Sequence, residues 1–220
     1  MPTMIQTKRH GMTLPELIIG SVMIAMLGTA LASFTTAMAA GWKNSDQQFK
    51  IENASKRSGD ALESTLSNML YVAQYKSATT ASPGSYVFYW NQDNGADKKA
   101  QLGEMALVEY ATDEKAVWLY KPKSTLTLSQ QTTLNNENWG DPTSAAIVTY
   151  FKGLDSIERT PVVGGAASGI DVSKANFNYF APTGSKPMTS YNMTLVNSGA
   201  EDTSSGTIPL RASKKPTNFN

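Results

Sequence analysis

One carboxylate, Glu16, stands at the head of a long apolar run, preceded by the basic pair Lys8 and Arg9 and then by Gly11. An ionised side chain in hydrocarbon is expensive unless it finds a partner, so this position needs a physical reason. The chemistry open to the stretch "KRHGMTLPEL" is ion pairing at a boundary between charge and oil. It holds no nucleophile with a base beside it.

The other chemistry-bearing residues do not converge. The chain has no cysteine and a single histidine, His10, which excludes a disulfide framework, Cys-containing metal sites and a His-assisted nucleophile in the body. His10 has no carboxylate within four residues and is not a metal ligand on this reading. Glu104 and Glu109 are five apart, which puts them on opposite faces of a strand and at the surface. Asp93, Asn94, Asp97 and Glu104 lack the EF-hand ligand order, since Gly95 occupies its third place. "VVGGAASG" has no phosphate-loop Lys-Ser/Thr and no dinucleotide Gly order, and Ser168 within it has no base. Charges nearly balance, 19 basic against 18 acidic, and are scattered. Lys76, Lys98, Lys99, Lys214 and Lys215 therefore read as solvated surface, and no nucleic-acid partner is expected. Trp139 is the exception among the aromatics. It stands in the polar stretch "NNENWGDP", where a ring is a contact candidate.

The element that positions Glu16 is the run behind it. Between Glu16 and Lys43 the 26 residues 17–42 carry no charge, and as helix they would extend about 39 Å, enough to cross a hydrocarbon core of about 30 Å. Three readings compete. A secretory signal peptide would use Lys8 and Arg9 as its basic region and be cut after "AMA" at 37–39, but Glu16 interrupts it and the apolar run is too long. A plain uncleaved anchor explains the length and, by the positive-inside rule, keeps Lys8 and Arg9 in the cytoplasm. It leaves Glu16 unexplained.

The third reading explains it by resemblance. "KRHGMTLPEL" resembles the prepilin leader and cleavage site of type IV pilins and type II secretion pseudopilins: a short basic leader, Gly, an apolar residue, Thr, Leu, any residue, Glu and an apolar helix. The resemblance implies that prepilin peptidase cuts between Gly11 and Met12, that Met12 becomes the N-methylated terminus, and that Glu16 pairs with the terminal amine of a neighbouring subunit during assembly. An amine and a carboxylate buried together cost far less than either alone. Thr13, Leu14 and Pro15 complete the motif. Met12 departs from the family's usual Phe, and Pro15 is tolerated in a first helical turn, whose N–H groups lack intrahelical partners. Gly28, with Thr29, is where the resemblance implies helix loosening in a packed filament.

The same resemblance implies an α+β, pilin-like fold: a leader over 1–11, a membrane and filament-core helix over 12–42, its amphipathic continuation over 43–76, and a β-rich extracytoplasmic domain over 77–220. The continuation is read from Leu62, Leu66, Met69, Leu70 and Ala73 at helical spacing, with Asp60, Glu63, Ser67 and Asn68 opposite. Gly59 would mark a bend. Strand-like runs follow at 86–90, 105–111, 116–121, 145–151, 176–181, 191–196 and 206–212, with "TDEK" as a tight hairpin turn. These should form a mainly antiparallel sheet that lays one face on the helix. Residues 91–103, 124–144, 162–169 and 197–206 read as polar loops.

The body weakly resembles J-type pseudopilins and W-type minor pilins, which implies a minor subunit of a type IV pilus or type II secretion pseudopilus. The implied partners are prepilin peptidase, other major and minor pilin or pseudopilin subunits, the inner-membrane assembly platform and membrane lipid. The implied location is the inner membrane and then the filament. No catalytic residue, no metal and no cofactor are expected; the resemblance leaves room only for calcium, which some pseudopilins bind, near the Asp93 loop or near Glu137 and Asp141. The alternative is a membrane-anchored extracytoplasmic module that binds sugar or peptide.

Overall fold

The computed structural model describes residues 11–93, 99–136, 145–165, 168–181, 186–211 and 216. The chain has an α+β architecture, with a long apolar N-terminal helix and antiparallel sheets, and it divides into two units after Asp46. Helix α1, Leu14–Leu66, contributes to both.

In the first unit α1 is a bare apolar helix. Leu17, Ile24, Leu27, Leu31 and Phe34 are all exposed, and the most apolar stretch has a mean hydropathy of 2.1 with none of it buried. Among the described residues α1 is the one helix long and apolar enough to cross a membrane.

In the second unit the end of α1 buries one stripe, Ile51, Ser55, Gly59, Leu62 and Leu66, at steps of three and four residues. Strands β1 (Tyr71–Lys76), β2 (Ser85–Trp90), β3 (Met105–Ala111), β4 (Ala116–Pro122) and β5 (Ile157–Gly164) form an antiparallel sheet in sequential order. Strands β6 (Asp171–Phe180), β7 (Met188–Asn197) and β8 (Ala200–Pro209) form a second antiparallel sheet. Pro161 sits in β5 because that strand is an edge, where a missing N–H breaks no ladder.

The apolar runs of β2 and β3 are continuous rather than alternating because both of their faces are covered. Val87, Tyr89 and Val108 pack into one core with Ile51 and Leu62 of α1 and with Phe177 and Met193 of the second sheet. Phe88, Trp90 and Leu107 face a second core closed by α2 (Leu128–Asn136) and α3 (Ala145–Gly153). The two sheets are joined through side chains: the Ser85 hydroxyl donates to Ala175 O at 2.7 Å, and the Tyr110 hydroxyl lies 2.9 Å from Val172 O.

Three expectations are corrected here. The helix ends at Leu66 rather than near residue 76, because the Leu70 N–H is taken by Trp90 O at 2.8 Å and the aromatic "YVAQYK" pairs with β2 as β1. Gly59 lies within the continuous helix and is a point of close approach: a Cβ there would stand 2.7 Å from Ser204 Oγ. The run at 145–151 is helix α3, which buries Ile147, Val148 and Phe151 against the sheet. Within the stretch read as a loop at 197–206, Ser198 and Gly199 turn the chain at positive φ and Ala200 begins β8.

Candidate functional site

The junction of Gly11 with α1 is built locally. Leu14 is the first helical residue, and the Thr13 carbonyl accepts the first intrahelical bond, from the Leu17 N–H at 3.1 Å. Thr13 is therefore the N-cap and Glu16 the third helical position. The Thr13 N–H donates to Glu16 Oε2 at 2.8 Å and the Thr13 hydroxyl donates to the same oxygen at 2.9 Å. Thr-x-x-Glu is the sequence of a capping box, and the carboxylate supplies its reach-back half. Pro15 lies in the first turn, where its missing N–H breaks no helical bond. Gly11 and Met12 are exposed, Met12 to 73%.

Glu16 Oε1 is not engaged by a described residue. The carboxylate thus caps its own helix with one oxygen and holds a second acceptor outward. Sequence reasoning assigned Thr13 only as part of a motif. Its role as the cap was readable from the Thr-x-x-Glu spacing.

The helix behind this junction is continuous through Gly20, Gly28 and Gly41, and nothing lies within 4 Å of a Cβ built on any of the three. Its hydroxyls are turned inward: Ser21 donates to Ile18 O, Thr29 to Met26 O, Ser33 to Thr29 O, and Thr35 and Thr36 to Ala32 O, all at 2.8–2.9 Å. Each hydroxyl donor from Ser21 to Thr36 is thus satisfied without water, as burial in lipid would require.

The body candidates scatter. Glu104, expected at the surface, is instead 1% exposed: it closes the short helical turn Leu102–Glu104 and accepts the Trp90 indole N–H at 3.1 Å. Glu109 lies on β3 and holds Lys152 Nζ at 2.7 Å. Arg159 lies 3.7 Å over the Trp118 ring and bonds Glu114 at 2.7 Å. These cations are engaged by carboxylates and rings. The Ser168 hydroxyl lies 2.8 Å from Gly165 O and receives the Ile170 N–H at 3.2 Å, which makes it a turn residue.

Asp93 Oδ1 is buried without a hydrogen-bond partner, but among the described residues no three His, Cys, Asp or Glu side chains converge on one point. Lys8, Arg9, His10, Asn94, Asp97, Glu137, Trp139 and Asp141 lie outside the described residues. In the second unit an open groove of about 840 Å³ runs between Phe49, Asn53 and Arg57 of α1 and Val162, Val163 and Ile170.

No family model, curated protein or solved structure matches this chain. The candidate site is accordingly the junction 11–16 with the helix it starts, where motif, cap and apolar run coincide.

Proposed function

We propose that this chain is a minor pilin or pseudopilin subunit. It is made as a precursor, cut by prepilin peptidase between Gly11 and Met12, methylated at Met12, held in the inner membrane by residues 17–42, and drawn by the assembly platform into a type IV pilus or type II secretion pseudopilus. The observation that carries the reading is Glu16: a carboxylate at the mouth of a charge-free helix, one oxygen capping the helix and the other open to a cation. A terminal amine from a neighbouring subunit is the cation that the motif supplies, and the two charges buried together offset each other's desolvation. The role is structural. Its partners are the peptidase, other subunits and lipid, with the body of the chain outside the cytoplasm.

Glu16→Ala should still enter the membrane and lose its leader, yet fail to co-purify with other pilin subunits from the native cell. Unchanged co-purification would remove the assembly role from Glu16. A second reading, an anchored module that binds sugar or peptide, draws on Tyr75 and Phe180, which are 46% and 50% exposed near the Tyr75–Tyr179 ring contact. That module has no use for cleavage at Gly11.

A further inference from the structure

The charge-free run has ends of different chemistry. Walking outward from Glu16, every hydroxyl up to Thr36 bonds to a carbonyl of the preceding turn. Trp42 breaks that pattern. It is 71% exposed, its indole N–H has no partner among the described residues, and Lys43 follows it at once. A polar N–H left unpaired in hydrocarbon is costly, whereas at headgroup level the ring stays in oil and the N–H reaches an ester carbonyl or phosphate oxygen. The rise from Glu16 to Trp42 is about 39 Å, against a hydrocarbon core of about 30 Å, and a tilt of about 20° shortens it only to about 37 Å. With Trp42 fixed in the outer headgroup layer, Glu16 lies beyond the inner edge of the hydrocarbon.

We propose that Trp42 and Lys43 form a phospholipid-headgroup anchor that sets the depth of the helix, and that this depth keeps Glu16 in the inner headgroup layer, in contact with water, until a neighbouring subunit takes it. The inference rests on the membrane-anchored reading above and deepens it. Glu16 needs no partner before assembly, and the desolvation of its carboxylate belongs to the assembly step itself.

The chain has no cysteine, so single cysteines report position without background. The full chain, uncut and with Leu31→Cys, Met38→Cys or Ser45→Cys, is labelled with a nitroxide in vesicles of phosphatidylethanolamine and phosphatidylglycerol. Access of a polar relaxation agent and of oxygen is then compared. Positions 31 and 38 should be reached by oxygen and shielded from the polar agent, and position 45 the reverse. Trp42→Ala should raise polar access at position 38 severalfold, and Trp42→Tyr should restore the shielding. A polar-accessible position 31 would defeat the membrane reading as a whole. With position 31 shielded, a polar-accessible position 38, a shielded position 45, or indifference to Trp42→Ala would overturn the anchor alone.

Discussion

Thr13 gives both its backbone N–H and its hydroxyl to a single oxygen of Glu16, at 2.8 and 2.9 Å. The carboxylate caps its helix, and the proposed assembly role would give it a second, separable duty, ion pairing. Glu16→Gln keeps a carbonyl oxygen able to accept from Thr13 but removes the charge, while Glu16→Ala removes both. Amide hydrogen exchange in the first turn should therefore quicken in Glu16→Ala and in Thr13→Val much more than in Glu16→Gln, the lost cap being worth about 1 kcal/mol. Incorporation into filaments should instead follow the charge, failing in Glu16→Gln as in Glu16→Ala and surviving in Thr13→Val. Filaments that accept Glu16→Gln as readily as the parent chain would show that the cap alone is needed.

Processing is testable without a filament. Protein isolated from the native cell should begin at Met12, with a mass increment of one methyl group, by intact mass and N-terminal sequencing. Replacing Gly11 by a large residue should leave the leader attached, although no Cβ clash opposes it in the folded chain; the block would lie in the peptidase. A chain beginning at Ala40 would instead support a secretory signal cut after residue 39.

Much of the candidate junction was legible because its determinants are local: the charge-free run and the Thr13-x-x-Glu16 spacing lie within one stretch of chain. The hairpin of β3 and β4 was legible for the same reason, with Lys115 at positive φ closing the turn. What escaped was set by contacts distant in sequence. Met69, Leu70 and Ala73 fit a helical stripe, yet the helix ends at Leu66 and Ala73 lies in β1, which pairs with β2. Ile147, Val148 and Phe151 form a short apolar run whose periodicity suits either state, and the uncovered face of the first sheet decides for helix. Residues 128–136 read as loop because only Leu134 of that helix is buried, although Thr127 and Gln130 form a capping box at its start. The depth of Glu104 was illegible, since it depends on Trp90, a strand away.

Gly206 is required by a ring. It faces Tyr191 across the β7–β8 ladder, and a Cβ there would stand 2.6 Å from Tyr191 Cε1 and 2.9 Å from Glu63 Oε1. Tyr191 is 3% exposed and cannot swing away, so Gly206→Ala should destabilise the second unit by about 1–3 kcal/mol. Urea unfolding of the full chain in detergent checks this, and the penalty should shrink in a Tyr191→Leu background because the two sites share the clash. Gly59→Ala should be milder. Its nearest neighbour is the rotatable Ser204 hydroxyl, and replacing a helical glycine recovers up to about 1 kcal/mol of helix propensity. Equal stability of Gly206→Ala and the parent would mean that the β7–β8 pair stands off from α1.

The body should be alkali-sensitive through its tyrosines. Burial raises the phenol pKa of Tyr71, Tyr86, Tyr89, Tyr110, Tyr179 and Tyr191, and Tyr120 is pushed up to about 12 by burial and then by the nearby Glu109 carboxylate. Lys115 shifts upward as well, through its hydrogen bond to Asp171. The sign follows from proton counts. Above pH of about 10 the unfolded chain releases phenolic protons that the folded chain retains, so the unfolded state binds fewer protons and stability falls as pH rises. The contribution is whole below that pH and is lost progressively as pH climbs through the raised folded values. Tyrosinate absorbance and far-ultraviolet circular dichroism, followed together on the full chain in detergent, should show ionisation and loss of structure as one cooperative step displaced above the ordinary tyrosine range. Tyr120→Phe, which removes a phenol beside Glu109 and Arg159, should lessen the loss of stability with pH. Gradual ionisation at the ordinary tyrosine value with the strand signal intact would show that these rings are open to water, and the two cores around β2 and β3 would then not be closed as described.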